Sequence, residues 1–285
     1  MTTDDGFVII DKPSGITSHD VVAQLRKKFG TKRVGHAGTL DPMATGVLVI
    51  GVNNATKFLQ YITEGRKRYL ATIRLGQSTT TDDREGDVLE THDWKNVTDE
   101  KIRAVLDSQV GTIMQKPSKV SAIKIAGERA YDLVRQGREV DIPAREVTIY
   151  SLDILAIKRN EFLDIDIDVA CSAGTYIRSI ARDLGASLGV GGHLVALRRT
   201  EVSPFLETDC QSIVDCEIQP LVQSISKIMP SRSIDLAEKN ELSFGRSLTK
   251  SDFDGPGVAI TNDGRVAAII ENRDYGAQPL AVFNS

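Results

Sequence analysis

Leu163-Asp164-Ile165-Asp166-Ile167-Asp168-Val169-Ala170-Cys171 is the stretch on which the fold turns. Its odd-numbered positions are apolar and interleave with three aspartates, so one face is buried and the other wet, as in a strand of antiparallel sheet. Just beyond it, Ile177, Ile180, Ala181, Leu184 and Leu188 recur at helical spacing, and Gly189 stands where a left-handed C-cap falls. A helix is therefore expected to start near Thr175. Working outward, Tyr69, Ala71, Ile73 and Leu75 alternate with Leu70, Thr72 and Arg74 as a second half-buried strand, entered from the basic run Arg66-Lys67-Arg68. Phe7–Ile10 and Gly46–Val52 are continuous apolar runs that read as short strands, the second a buried one. Between them, Ser18 or Thr17 caps a helix with Val21, Val22, Leu25 and Phe29 on one face. Strands and helices mix without regular βαβ alternation, which predicts the α+β class.

Pro230 and Ser231 mark a boundary. Beyond it, apolar runs at 258–261, 266–270 and 280–283 are separated by turn residues, and Asn262-Asp263-Gly264 signals a tight hairpin with residues at positive φ. These last 55 or so residues suggest a small β-barrel.

The 285 residues are 41% apolar and 26% charged, which excludes a disordered chain. The longest apolar stretch falls far short of the roughly 20 residues of a membrane span, and Met1–Asp5 is acidic with no apolar core, unlike a secretory signal. Cys171, Cys210 and Cys216 show no CxxC spacing, which argues against a disulfide framework or a structural zinc site. The expectation is a cytoplasmic protein. Net charge is −4, but residues 1–80 carry 11 basic against 6 acidic side chains, while residues 81–110 carry 4 against 9. Clustered local charge, more than overall charge, is what a phosphate-binding face requires.

The segment Gly35-His36-Ala37-Gly38-Thr39-Leu40-Asp41-Pro42-Met43-Ala44-Thr45-Gly46 reads as a loop. Pro42 pushes Asp41 into an extended conformation, and Gly38 and Gly46 permit positive φ or a close approach by a partner. A carboxylate held this way suits a nucleophile or base; a turn-forming Asp-Pro explains the residues equally well. Arg178 falls in the first turn of the helix after Thr175, where a cation opposes the helix dipole, so an anionic partner would account for its position. A guanidinium beside Asp41 would favour the ionised carboxylate. Asp41 and Asp83 are also a candidate two-carboxylate glycosidase pair.

The loop around Asp41 resembles the signature loop of the TruB-type tRNA pseudouridine synthases. Further blocks agree in order and spacing: Asp11–Ser18, Arg68-Tyr69, Leu75-Gly76-Gln77 through Asp83 and Gly86, Gly174–Arg178, and His193-Leu194 with Leu197-Arg198-Arg199. The resemblance spans residues 7 to about 205. It implies a mixed, largely antiparallel sheet flanked by helices over residues 1–230, with an arm at 117–145. Residues 231–285 would then be a PUA-like RNA-binding module. It further implies that Asp41 is the catalytic aspartate, and that uridine 55 in the T arm of tRNA is flipped out and isomerised to pseudouridine. Tyr69 would stack on the flipped uracil, Arg178 would pair with Asp41, and Tyr176 and Leu197 would wall the pocket. His36 would hold the displaced nucleotide, with Lys12 and Asp83 as supporting groups. The reaction transfers no electrons and no group to another molecule, so neither cofactor nor metal is implied, and the partner is tRNA bound by a monomer off the membrane.

The sequence departs from the family pattern at Val120, within Pro117–Lys124, where the family carries a tyrosine. Lys119, Lys124, Arg129, Arg135, Arg138 and Arg145 suit phosphates along the arm. An RNA chaperone that remodels tRNA without chemistry is the alternative function.

Overall fold

A computed structural model describes residues 5–119, 124–125, 128–129 and 142–283. The chain opens with β1 (Gly6–Lys12), α1 (Ser18–Phe29), β2 (Val34–Ala37) and β3 (Thr45–Val52). A 3-10 turn (Asn53–Phe58), α2 (Leu59–Thr63) and β4 (Lys67–Leu75) follow. Next come the small hairpin β5 (Gln77–Thr79) and β6 (Val88–Thr91), α3 (Asp99–Asp107), β7 (Gly111–Gln115), and the two-residue strands β8 (Lys124–Ile125) and β9 (Glu128–Arg129). β10 (Arg145–Arg159), β11 (Leu163–Cys171), α4 (Ile177–Leu188) and β12 (Gly192–Val202) precede β13 (Phe205–Leu206), β14 (Gln219–Pro220) and α5 (Leu221–Ile228). The chain closes with β15 (Ser231–Ile234), α6 (Leu236–Ser243), β16 (Pro256–Thr261), β17 (Val266–Arg273) and β18 (Gly276–Val282).

Ten strands form one sheet in the order β14-β1-β3-β12-β4-β11-β10-β7, with β2 added on β3 and β13 on β12. All of its pairings are antiparallel except β12 with β3, so the sheet is mixed and largely antiparallel. The aspartates of β11 explain its alternation. Asp164 pairs with Arg74 at 2.8 Å, Asp168 with Arg68 at 2.7 Å, and Asp166 takes Lys158 at 2.5 Å and the Thr72 hydroxyl at 2.7 Å. This wet face is a ladder of cross-strand pairs. The opposite face, with Ile165, Ile167 and Val169 beside Tyr69 and Ile73, is covered by Ile177, Ile180 and Leu184 of α4 and by Ile102 and Leu106 of α3.

β1 and β3 read as unbroken apolar runs because both of their faces are covered. Val8, Ile10, Leu48 and Ile50 meet Val21, Val22 and Leu25 of α1, while Phe7, Ile9, Val47 and Val49 point the other way into a second cluster. That second cluster also holds Val258, Val266, Ile269 and Phe283 of the C-terminal segment. Phe283 stacks on Phe58 with ring centroids 5.5 Å apart and 6° between planes, and Lys57 Nζ lies 4.5 Å from the Phe283 centroid. The boundary at Pro230 therefore separates two stretches of sequence that share one apolar cluster.

The C-terminal segment is a four-stranded sheet, β15-β16-β17-β18, with β15 parallel to β16 and a lone bridge from Leu248 to Ala277 on its far edge. In its hairpin only Gly264 takes positive φ (+79°). The tight hairpin expected at Asn262–Gly264 thus forms with one residue at positive φ in place of several, closed by Gly264 N–H donating to Thr261 O at 2.8 Å and with a bulge in the β16–β17 register. Val120, Arg135 and Arg138, and the side chains of Lys124 and Arg129, lie outside the described residues.

Candidate active site

The loop between β2 and β3 is fixed from below by the turn between β1 and α1. Gly15 N–H donates to Pro42 O at 2.8 Å, Ser14 Oγ to Met43 O at 3.1 Å, and Ser18 Oγ exchanges hydrogen bonds with the backbone of Leu40 at 2.9 and 3.2 Å. Lys12 is fully buried beneath it, with Nζ donating to Pro13 O, Ile16 O and Pro42 O at 2.9, 2.7 and 3.2 Å. Three acceptors use all three protons of an ammonium. Burial nevertheless pulls the Lys12 pKa down to about 8, with the carboxylate of Asp41 acting against the shift. Gly46 (φ +101°) admits no side chain, since a Cβ there would collide with the Arg199 backbone across the parallel β12–β3 contact.

Asp41 thus stands at the edge of a cavity of about 280 Å³, which Tyr69, Tyr176, Arg178 and Leu197 also line. Arg178 approaches it with two nitrogens. Nη2 donates to Oδ1 at 3.2 Å, while Nε lies 3.0 Å from Oδ2, an ion-pair contact whose angle falls short of a hydrogen bond. The other end of the guanidinium donates to Thr81 O at 2.9 Å and sits 3.4 Å from Asp83 Oδ2. Two carboxylates therefore flank a cation in the first turn of α4, which supplies the anionic partner that its unfavourable place on the helix dipole called for.

The two aspartates are not equivalent. The side chain of Asp41 is 34% exposed and that of Asp83 only 5%. Asp83 also accepts from Thr81 Oγ1 at 2.6 Å and Glu85 N–H at 3.0 Å, which leaves it a holder of Arg178 outside the cavity wall. The paired-carboxylate glycosidase arrangement is not built. Lys12 likewise sits behind the wall.

His36 lies on β2, also outside the lining, with its ring edge-on to His19 (centroids 5.4 Å, 86°). Its Nδ1 is buried without a partner, and burial lowers its pKa to about 4, so it is neutral near pH 7. Tyr176 is the N-cap residue of α4. Its N–H donates to Gln115 Oε1 at 2.8 Å, its carbonyl accepts from Gln115 Nε2 at 3.1 Å, and the Arg145 guanidinium lies 4.9 Å from its ring centroid. Tyr69 is almost wholly buried, and its phenol pKa is raised by that burial.

Three lining cations, Lys67, Arg145 and Arg199, had no assigned place in the cavity from sequence. Period two gives the signal for two of them: Lys67 shares a strand face with Tyr69, and Arg199 with Leu197. Nearby, Ser118 Oγ donates to Thr81 O at 3.2 Å, and the carbonyls of Lys116 and Pro117 are held by Ser179 and Arg182 of α4.

Fold and sequence can be set against known proteins. A structure titled as an H/ACA RNP bound to a substrate RNA containing 2'-deoxyuridine shares the fold with a TM-score of 0.71 at 24% identity, over 98% of this chain and 85% of that one. A Cbf5-Nop10-Gar1 complex gives 0.69 at 26% identity, over 98% and 84%. By family the chain is a pseudouridylate synthase. Residues 26–177 match the TruB family pseudouridylate synthase N-terminal domain, residues 178–221 the tRNA pseudouridylate synthase B C-terminal domain, and residues 229–284 the tRNA pseudouridine synthase II C-terminal domain. It is similar to proteins named tRNA pseudouridine synthase B from Corynebacterium efficiens, 51% identical over 98% of this chain and 95% of the relative, and from Thermobifida fusca, 47% over 98% of each. The chain belongs to the TruB family.

Proposed function

We propose that this enzyme isomerises uridine 55 in the T arm of tRNA to pseudouridine, with Asp41 as the catalytic group. The observation that carries the reading is the solvent-reaching carboxylate of Asp41, gripped by the buried Arg178 at the edge of a cavity that also holds a tyrosine, Tyr69. The isomerisation breaks the N1–C1′ bond, turns the uracil and joins C5 to C1′, with the C5 proton lost and N1 protonated. Atoms and electrons balance within the nucleotide, so the chain's task is to hold the sugar and base and to move one proton.

A cavity of this size takes a single nucleoside and no duplex, so the base must leave its stack, at a cost of a few kcal/mol. Tyr69 stacking on the uracil offsets about 1–3 kcal/mol of that cost. In this reading Asp41 faces the sugar at C1′, and Tyr69 relays the proton, its O–H protonating N1 and its oxygen then taking the proton from C5. Tyr176 and Leu197 wall the base in, while Lys12 and Asp83 act from behind the wall. Lys12 and Asp83 hold the loop and the arginine. Neutral His36 supports the displaced nucleotide from the rim without adding charge.

Residues 1–230 form the catalytic part in this reading, residues 117–145 an arm over the RNA, and residues 231–285 an RNA-binding module of PUA type. The protein works as a monomer in the cytoplasm. Among the described residues no helix is long and apolar enough to cross a membrane.

The test is incubation with unmodified tRNA and with a tRNA carrying cytidine at position 55, followed by chemical mapping of pseudouridine. Pseudouridine at position 55 of the first and none in the second is expected. Modification at another site would reassign the substrate.

A further inference from the structure

Arg199 is the largest fully buried side chain of the described residues, 1% exposed, and none of the ion pairs among those residues includes it. Leaving a guanidinium dry and without a carboxylate costs several kcal/mol unless its donors are otherwise used. Two of them are used by carbonyls: Nε donates to Val47 O at 2.8 Å and Nη2 to Gly38 O at 3.0 Å. The Gly38 carbonyl belongs to the Asp41 loop and that of Val47 to β3, which the loop enters. Gly38 has φ +84°, and a Cβ there would stand 3.4 Å from Arg199 Nη1, so the loop passes close over the guanidinium. Arg199 is also the cross-strand partner of Tyr69 in the β12–β4 ladder, and both side chains line the cavity.

We propose that Arg199 is a positioning residue that acts through Tyr69, by donating to the phenol oxygen and stabilising the phenolate that exists between transfer of the phenol proton to uracil N1 and uptake of the C5 proton, which restores the phenol. Guanidinium has donors only, so in this contact the phenol oxygen must be the acceptor. That fixes the oxygen with one lone pair engaged from behind and leaves its O–H direction for the cavity. Burial raises the Tyr69 pKa, and the neighbouring charge of Arg199 pulls against that rise. A base buried without such a cation would hold its proton too tightly to exchange it near neutral pH. The uncompensated charge of Arg199 is thereby explained: its counter-charge forms during the reaction and need not be present in the resting site. This inference rests on Tyr69 being the proton acceptor, and the experiment separates the two.

Pseudouridine formation is measured at saturating tRNA for the parent, Tyr69→Phe, Arg199→Lys and the double variant, with uridine and 5-deuteriouridine substrates. Arg199→Lys keeps the charge and loses the two-pronged grip. We expect kcat to fall by about 10-fold or more with tRNA affinity within about twofold, a C5 isotope effect larger than the parent's, and less than about twofold further loss when the change is made in Tyr69→Phe. Equal losses in both backgrounds, or an unchanged isotope effect, would show that Arg199 only supports the loop, and would overturn the proposal. A Tyr69→Phe enzyme with parental kcat and isotope effect would instead sink the role of Tyr69. If Arg199→Lys does not fold, the side-chain ¹⁵N resonances of Arg199 are compared between the parent and Tyr69→Phe. A shift is expected from loss of the phenol acceptor, and identical resonances would overturn the contact.

Discussion

Asp41 is a common residue in an uncommon position: its loop is held by a lysine with three carbonyl acceptors, and its charge by an arginine shared with a second, buried aspartate. Lys12 then sets an upper pH limit on activity. Its pKa is about 8 when folded against 10.5 as an ordinary lysine, so above about pH 8 the ammonium loses a proton and with it one of three hydrogen bonds, including a share of that to Pro42 beside Asp41. A pH profile of kcat is expected to fall on its alkaline side near pH 8. A flat profile to pH 10 would show that the third bond is unnecessary. His36 acts at the other end of the scale. Unfolded, it takes a proton near pH 6.5, and folded only near 4, so between those values the unfolded state binds more protons. Its contribution to stability is complete above pH 6.5 and is lost as pH falls toward 4. Thermal melts at pH 7 and pH 5 are expected to differ by less in His36→Gln than in the parent.

At the scale of elements, the helices are placed by their ends and their closest approaches. Thr17 caps α1 in a reciprocal box with Asp20, and Thr17→Ala is expected to cost about 0.5–2 kcal/mol in urea unfolding. Gly185 in the middle of α4 has the opposite logic. Helix propensity favours alanine there by about 1 kcal/mol, but a Cβ would strike the backbone of Gly191 and Gly192 where the chain enters β12. Gly185→Ala is expected to destabilise by about 1–3 kcal/mol through overpacking, and stabilisation would mean that α4 can lift off the sheet.

These elements show what a single sequence discloses. β11, with its alternating aspartates, matches its expected bounds of Leu163–Cys171, and α4 begins two residues past Thr175. Periodicity sees such segments because one face is wet. The order of the strands was less accessible: the parallel join of β12 to β3 brings Arg199 under the Asp41 loop from about 150 residues away, and no local pattern encodes that contact. Lys67 and Arg199 escaped notice as cavity residues because a charged residue in a basic run reads as solvated until its strand face is known. Asp83, expected as a supporting group, is buried and lies 3.4 Å from the Arg178 guanidinium, a contact that no local pattern in the sequence encodes.

The molecule as a whole carries net charge −4 and still has to hold a polyanion, which its basic first 80 residues can do only through local contacts. Binding of tRNA is therefore expected to weaken with salt, by a log–log slope of about −0.7 to −0.9 for each phosphate contacted. The C-terminal sheet adds a constraint of its own. Phe283 is 4% exposed and stacked on Phe58 in a cluster that includes Phe7 and Val47, so the C-terminal segment is part of the support for the ten-stranded sheet. Phe283→Ala is expected to lower stability by about 3–5 kcal/mol, as truncations in a packed core do, and a thermal shift of a degree or less would mean that the segment is merely tethered. The claim on which all of this depends is that the Asp41 carboxylate performs the chemistry and contributes little to binding. Asp41→Asn keeps the shape and removes the charge. Single-turnover pseudouridine formation by this variant is expected to fall by more than about 10³-fold while tRNA affinity stays within about tenfold; turnover near the parental rate would contradict the account.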